Sequence, residues 1–282
     1  MTPLLRNIDF LDNNHMKKNA SGNIIAVAEN KGGVGKTTTA VNLSSWLAKS
    51  FRTLLIDTDF QCNATRYLLA AQPEKTLYDS ILDEAVPLPT IPIRNGLDLV
   101  PASPNMFGIG FALISRALNE SVLGVPSPDP RGILTRLLKP IASHYDYVII
   151  DCPPSDNIMA INALFAATHM LIPVTPEPFG IQGVSNYINT IRKMNTEAQQ
   201  GIELAGILVT NYETGAAGHA LGEKFLRDWA KTSVYETRIR HSRYLYNAAL
   251  SHLDIFSYAP ESIGAQDYAQ FSDEFVKKLN AK

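Results

Sequence analysis

The 282-residue chain is long enough to bury a sizeable core, as one large domain or two small ones. Its 25 Lys and Arg stand against 27 Asp and Glu, a net charge of −2, so no global field draws it to nucleic acid or anionic membrane, and any such binding needs a local patch. Two cysteines, Cys62 and Cys152, without a Cys-x-x-Cys pair indicate neither a disulfide framework nor a dedicated zinc site, which fits a reducing compartment.

Residues 1 to 22 are rich in Asn, Asp and Lys, with one short apolar patch at Leu4, Leu5, Phe10 and Leu11, and read as an extension ahead of a single domain over 23 to 282. They lack the apolar middle of a secretory signal. No apolar stretch approaches the ~20 residues of a membrane span, so a cytoplasmic protein is expected. Met16, followed by Lys17 and Lys18, offers an alternative translation start.

Ile24-Ile25-Ala26-Val27-Ala28 has the length and branching of a buried strand, while Ala40, Leu43, Leu47 and Ala48 recur at helical spacing. Between them lies Lys31-Gly32-Gly33-Val34-Gly35-Lys36-Thr37-Thr38-Thr39. A glycine-rich loop joining a strand to a helix N-terminus is a phosphate cradle: backbone N–H groups point inward and the helix dipole favours negative charge. Lys36 supplies a point charge for the β and γ phosphates, and the Thr37 hydroxyl suits direct ligation of Mg²⁺. Asn30 stands where the common pattern has its first glycine, so the loop is a deviant form.

Thr53-Leu54-Leu55-Ile56-Asp57 reads as a second buried strand with an acid at its C-terminal end, where ligand chemistry gathers in parallel α/β sheets. The polar loop after it, with Asp57, Asp59, Gln61 and Asn63, faces the phosphates or serves as turn and helix cap. The proline-rich stretch 84 to 104 is mostly loop with one strand at Leu97-Asp98-Leu99-Val100. A breaker cluster from 124 to 130 separates two helical patterns.

Tyr147-Val148-Ile149-Ile150-Asp151 repeats the strand-then-acid theme and has Walker B character, an acid placed to support Mg²⁺ through water. Leu171-Ile172-Pro173-Val174 and Ala205-Gly206-Ile207-Leu208-Val209 are two further strands. Strands alternating with helices give an α/β fold, a mostly parallel twisted sheet with helices on both faces, and right-handed crossovers put every strand C-terminus on one edge. Loops 175 to 179 and 210 to 213 share that edge, and Asn211 is either a contact to the base or an ordinary turn residue.

The order of these pieces resembles the ParA/MinD group of deviant Walker A ATPases, and within it the ParA-type partition proteins, from about residue 23 onward. The resemblance implies a P-loop NTPase that uses ATP and Mg²⁺ and forms a sandwich homodimer in the ATP state. It also implies that Lys31 reaches the partner's nucleotide, that Asp59 positions the attacking water, and that Asp57 and Asp151 support the metal. Lys31, Gly32, Gly33, Val34, Gly35, Lys36, Thr37 and Thr38 form the nucleotide loop. Phe60 and Cys62 depart from the family's Pro and Gly.

Members of this group bind DNA without sequence preference or bind membrane through an amphipathic tail. In the helix expected from 218 to 231, Lys224, Arg227 and Lys231 share a face, and Arg238, Arg240 and Arg243 follow; they form a candidate DNA patch or a solvated charged face. Tyr268, Phe271, Phe275 and Leu279 form one stripe of the last helix. Because Asp267, Asp273 and Glu274 share its polar side with Lys277, Lys278 and Lys282, this helix is expected to pack on the sheet rather than insert in membrane. Partition, with a ParB-like activator or cargo adaptor, is therefore favoured over a MinD-like membrane role. A metal-cluster enzyme on the same fold would need bridging cysteines, whereas Cys62 and Cys152 are assigned to packing.

Overall fold

The computed structural model describes residues 22–124, 128–155, 157–197 and 201–281. The expected extension and the Met16 start lie outside these. The elements, in order, are β1 (Asn23–Val27), α1 (Lys36–Leu47), β2 (Thr53–Asp57), α2 (Asn63–Leu68), α3 (Leu77–Leu82), β3 (Ile91–Arg94), β4 (Leu97–Val100), α4 (Ile109–Val122), α5 (Ile133–Leu138) and β5 (Tyr147–Asp151). They continue with α6 (Ile158–Ala166), β6 (His169–Val174), α7 (Pro178–Glu197), β7 (Glu203–Tyr212), α8 (Ala217–Ala230), β8 (Val234–Arg240), α9 (Arg243–Leu250), α10 (Ile255–Tyr258) and α11 (Ile263–Asn280).

The strands form one eight-stranded sheet in the order β3-β4-β2-β5-β1-β6-β7-β8, parallel throughout except where β3 runs against β4. Side chains alternate between two cores. Ile24, Ala26, Ile56 and Ile150 face one with residues of α3 to α8, while Ile25, Val27, Leu55 and Ile149 face the other with α1, α2 and α9 to α11. Pro173 is tolerated inside the sheet because of where β1 ends. The Leu171 carbonyl accepts from Ala28 on the β1 side, so Pro173, two residues on, faces the side that β1 has already left.

Two strands are absent from the sequence reading. β3 contains Pro92, which an antiparallel edge strand accommodates, and β8 carries Glu236, Arg238 and Arg240 on alternate positions that read as loop charges. Lys231 lies beyond the end of α8 with φ of 46°, so the predicted continuous helical face of Lys224, Arg227 and Lys231 is broken at its last member. In α11, Tyr268, Phe271 and Phe275 are buried against the sheet, and Leu279 packs beside them. Asp267 is not on a solvated side as expected: it is buried beneath the Arg240 guanidinium, whose Nε donates to it at 2.9 Å. Among the described residues no helix is long and apolar enough to cross a membrane.

Candidate nucleotide site

Three neighbouring strands, β2, β5 and β1, bring their C-terminal ends to one edge, with Asp57 in register with Asp151 and Asp151 in register with Val27. The chain leaves β1 and turns through the glycine loop into α1. Gly33 and Gly35 have φ of 77° and 79°, the left-handed region that a Cβ disfavours, and space is open where a Gly33 side chain would project. The loop is thus a backbone cradle at a helix N-terminus.

Two side chains from the end of β7 hold that cradle from behind. The Thr210 hydroxyl donates to the Val34 carbonyl at 2.8 Å, and the Asn211 amide donates to the Gly33 carbonyl at 3.0 Å. Asn211, itself at φ of 50°, spends a donor on the loop backbone. The sequence places the loop from 210 on this edge but not the role of Thr210, because a hydroxyl beside a strand end carries no signal of a partner 176 residues away.

Lys36 is buried and its Nζ donates to the Lys31 carbonyl at 2.9 Å. Burial lowers its pKa, with Asp151 pulling the other way. Lys31 sits at the surface, its Nζ donating to Glu177 at 2.7 Å and Thr175 at 3.4 Å. The two lysines are therefore separated by environment: one faces the cradle from within, the other is clasped by the loop after β6. Thr37 and Thr38 begin α1 and are half-buried.

Asp57 is buried, and its carboxylate accepts from Asp59 N at 3.1 Å, Thr65 N at 2.8 Å and the Thr65 hydroxyl at 2.7 Å. It organises the loop that carries Asp59. Burial pushes its pKa up to about 6. Asp59, nearly buried, accepts from Gln61 N at 2.9 Å, and burial likewise raises its pKa. Cys62 occupies a left-handed position, φ 54°, which explains physically why glycine suits this place.

Neither carboxylate oxygen of buried Asp151 meets full hydrogen-bond geometry with a partner, although the Thr37 hydroxyl lies close enough to favour its charged form. Burial and then the charge of Asp57 push Asp151 well above the usual carboxylate range. A fourth acid, Glu29, was also missed. It lies just past β1, 1% exposed, with one oxygen unpartnered and its pKa raised by burial. The strand-then-acid pattern seen at Asp57 and Asp151 would have flagged it. Incompletely bonded carboxylates near an anion cradle fit a divalent cation. Among the described residues no group of three or more His, Cys, Asp or Glu stands ready to hold a metal, so a divalent cation here would draw most of its ligands from phosphate and water.

Of the six candidate DNA-binding cations, three are engaged internally. Arg227 and Arg238 both pair with Glu223, at 2.9 and 2.6 Å, and Arg240 pairs with Asp267. Lys224, Lys231 and Arg243 are exposed, and so, despite its pair with Glu223, is Arg238. Cys62 and Cys152 are both free and buried.

A family model described as an AAA domain matches residues 22–204. The chain is 35% identical to the sporulation initiation inhibitor protein Soj of Bacillus subtilis, over 90% of this chain and 98% of that protein. It is 33% identical to the chromosome partitioning protein ParA of Myxococcus xanthus, over 93% of this chain and 90% of that protein. Among solved structures, cobyrinic acid a,c-diamide synthase from Mycobacterium smegmatis with bound ADP and magnesium superimposes with a TM-score of 0.75 at 26% identity, covering 92% of this chain and 96% of the other.

Proposed function

Because the chain belongs to the ParA-type partition ATPases of the ParA/MinD family, we propose that it hydrolyses ATP with Mg²⁺ and uses an ATP-bound homodimer to position DNA or another large cargo. The observation that carries this reading is the convergence of Lys36, Asp59 and the incompletely bonded Asp151 beside a glycine cradle on three adjacent strands. A loose phosphoryl transition state needs positive charge at the γ-phosphate and an oriented water more than a strong base. Lys36 supplies the charge within one copy, and Lys31, once released from Glu177, supplies it across the dimer. Asp59 orients the water. Thr37, with Asp151 and Asp57 in support through water, would hold Mg²⁺, which would supply charge neutralisation at the phosphates, and Asp57 also fixes the neighbouring loop.

Turnover is slow and stimulated by a ParB-like activator or cargo adaptor, and the ATP-bound form associates with the nucleoid in the cytoplasm. Lys224, Lys231 and Arg243 are the cations available for non-specific DNA contact. The buried aromatic stripe of α11 leaves that helix without the free apolar face a membrane tail requires.

The test loads Asp59→Ala with ATP and offers it duplex DNA and anionic vesicles in parallel. Salt-sensitive retention on DNA alone is the expected result. Binding to vesicles alone would replace the DNA assignment by a MinD-like membrane role, and binding to neither would remove the cargo assignment.

A further inference from the structure

Phe107, just ahead of α4, is a large aromatic that core packing does not account for: it is 76% exposed, and its ring meets that of Phe60 edge-on, with centroids 5.2 Å apart. Phe60 lies in the turn that carries Asp59. The Cys62 N–H donates to the Asp59 carbonyl at 2.8 Å, closing a β-turn with Phe60 and Gln61 at its centre. Neither of these takes a positive φ, as in a type I turn, where the first central residue sits near φ of about −60°. Proline locks that angle through its ring, and Phe60 stands where the family pattern has proline. A phenylalanine backbone carries no such lock, so the restraint on this turn passes to the side chain.

The support under Phe107 is itself anchored. It belongs to the short 3₁₀ turn Pro104–Gly108, which Ser103 caps by accepting from Asn105 N at 3.2 Å, and Met106 and Ile109 of the same stretch are buried in the core. This segment is tied to the acidic loop a second time, because the Thr65 hydroxyl donates to Asp57 at 2.7 Å and accepts from Ala102 N at 2.9 Å. We propose that Phe107 is a positioning residue for Asp59: by clasping Phe60 it does through packing what proline does through covalent geometry, and it holds the turn so that the Asp59 carboxylate meets the attacking water. The role of Asp59 rests on the function proposed above, whereas the clasp itself needs no nucleotide. One edge-to-face pair changes an equilibrium by about two- to tenfold, which sets the scale of the effect. Neither ring carries a group that binds phosphate, so turnover rather than ATP affinity is the quantity that falls.

The clasp is read first in the nucleotide-free full-length chain, by amide hydrogen exchange. Phe107→Ala should speed exchange at Gln61 and Cys62, whose N–H groups close the turn onto Asp59, by about two- to tenfold, and Phe107→Tyr should leave it like the parent. Phe111→Ala, further into α4 and 81% exposed, is the control and should change nothing. With ATP and Mg²⁺, Phe107→Ala should lower kcat by a similar factor while KM and ATP affinity match the parent. Phe60→Pro alone should turn over like the parent, and adding it to Phe107→Ala should restore the parent's kcat, a rescue that simple loss of packing would not show. Unchanged exchange in Phe107→Ala would overturn the clasp whatever the activity. A parent chain without ATPase activity would remove the proposed function, and the positioning role with it, while the exchange result still decides the clasp. Parent-like kcat despite faster exchange, a loss shared by KM, or an active Phe60→Pro variant that fails to rescue would overturn the positioning of Asp59.

Discussion

Lys31 and Lys36 lie five residues apart in one loop, yet their surroundings give them different work. Lys36 is enclosed beside Asp151 and Asp59, and losing a buried charge of this kind costs about 2–5 kcal/mol, so Lys36→Ala should weaken ATP binding by about 30-fold or more in a direct titration. Lys31 projects from the cradle onto Glu177, so Lys31→Ala should leave ATP affinity of the monomer nearly unchanged while abolishing the ATP-dependent increase in mass seen by light scattering. Equal loss of affinity in both variants would remove the division of labour. The Lys31–Glu177 pair is itself half exposed, and pairs of that kind contribute about 0.2–1 kcal/mol. Glu177→Gln should therefore release Lys31 and favour the ATP-bound dimer by no more than about fivefold. A fall in dimer yield would instead make Glu177 a residue that aims Lys31.

At the scale of elements, what could be read in advance follows from local chemistry. β2, β4 and β5 match the sequence reading to the residue: β2 and β5 are apolar runs buried on both faces, and β4, despite half-buried Asp98, is set off by the breakers Gly96 and Pro101. β8 escaped because alternating charges on a sheet edge look like a loop until a helix covers the other face. The Arg227–Glu223 pair, four residues apart on one helix, is legible in advance, but the Arg240 pair escaped for a related reason, since Asp267 lies 27 residues from Arg240 and only the packing of α11 on β8 joins them. Asn211 shows the same limit. A turn asparagine beside a nucleotide loop suggests a base contact; in the structure one N–H of its amide goes to the Gly33 carbonyl, a loop-holding role the sequence does not signal, and its backbone adopts a conformation that glycine also accepts. Asn211→Gly should thus keep the turn, lose about 1 kcal/mol of support for the cradle, and weaken ATP binding about fivefold. Its preference for ATP over GTP, measured by competition, should match the parent; a changed preference would restore the base contact.

Across the whole molecule, two surfaces occupy separate places. The nucleotide edge lies over β2, β5 and β1, and the exposed cations lie by α8 and α9 near β8. Three strand spacings separate β1 from β8, roughly 14 Å, which exceeds the Debye length at physiological salt of about 8 Å. Nucleotide charge and cargo contact therefore need not compete. If an ATP-bound dimer neutralises about four phosphates, log affinity for duplex DNA should fall with log salt at a slope near about −3.6, and each phosphate contact removed should reduce the slope by about 0.9. In the Asp59→Ala background with ATP, replacing Lys224, Lys231 and Arg243 together by Ala should flatten that slope, because these side chains are exposed. A slope insensitive to the triple replacement would move the DNA surface away from α8 and α9.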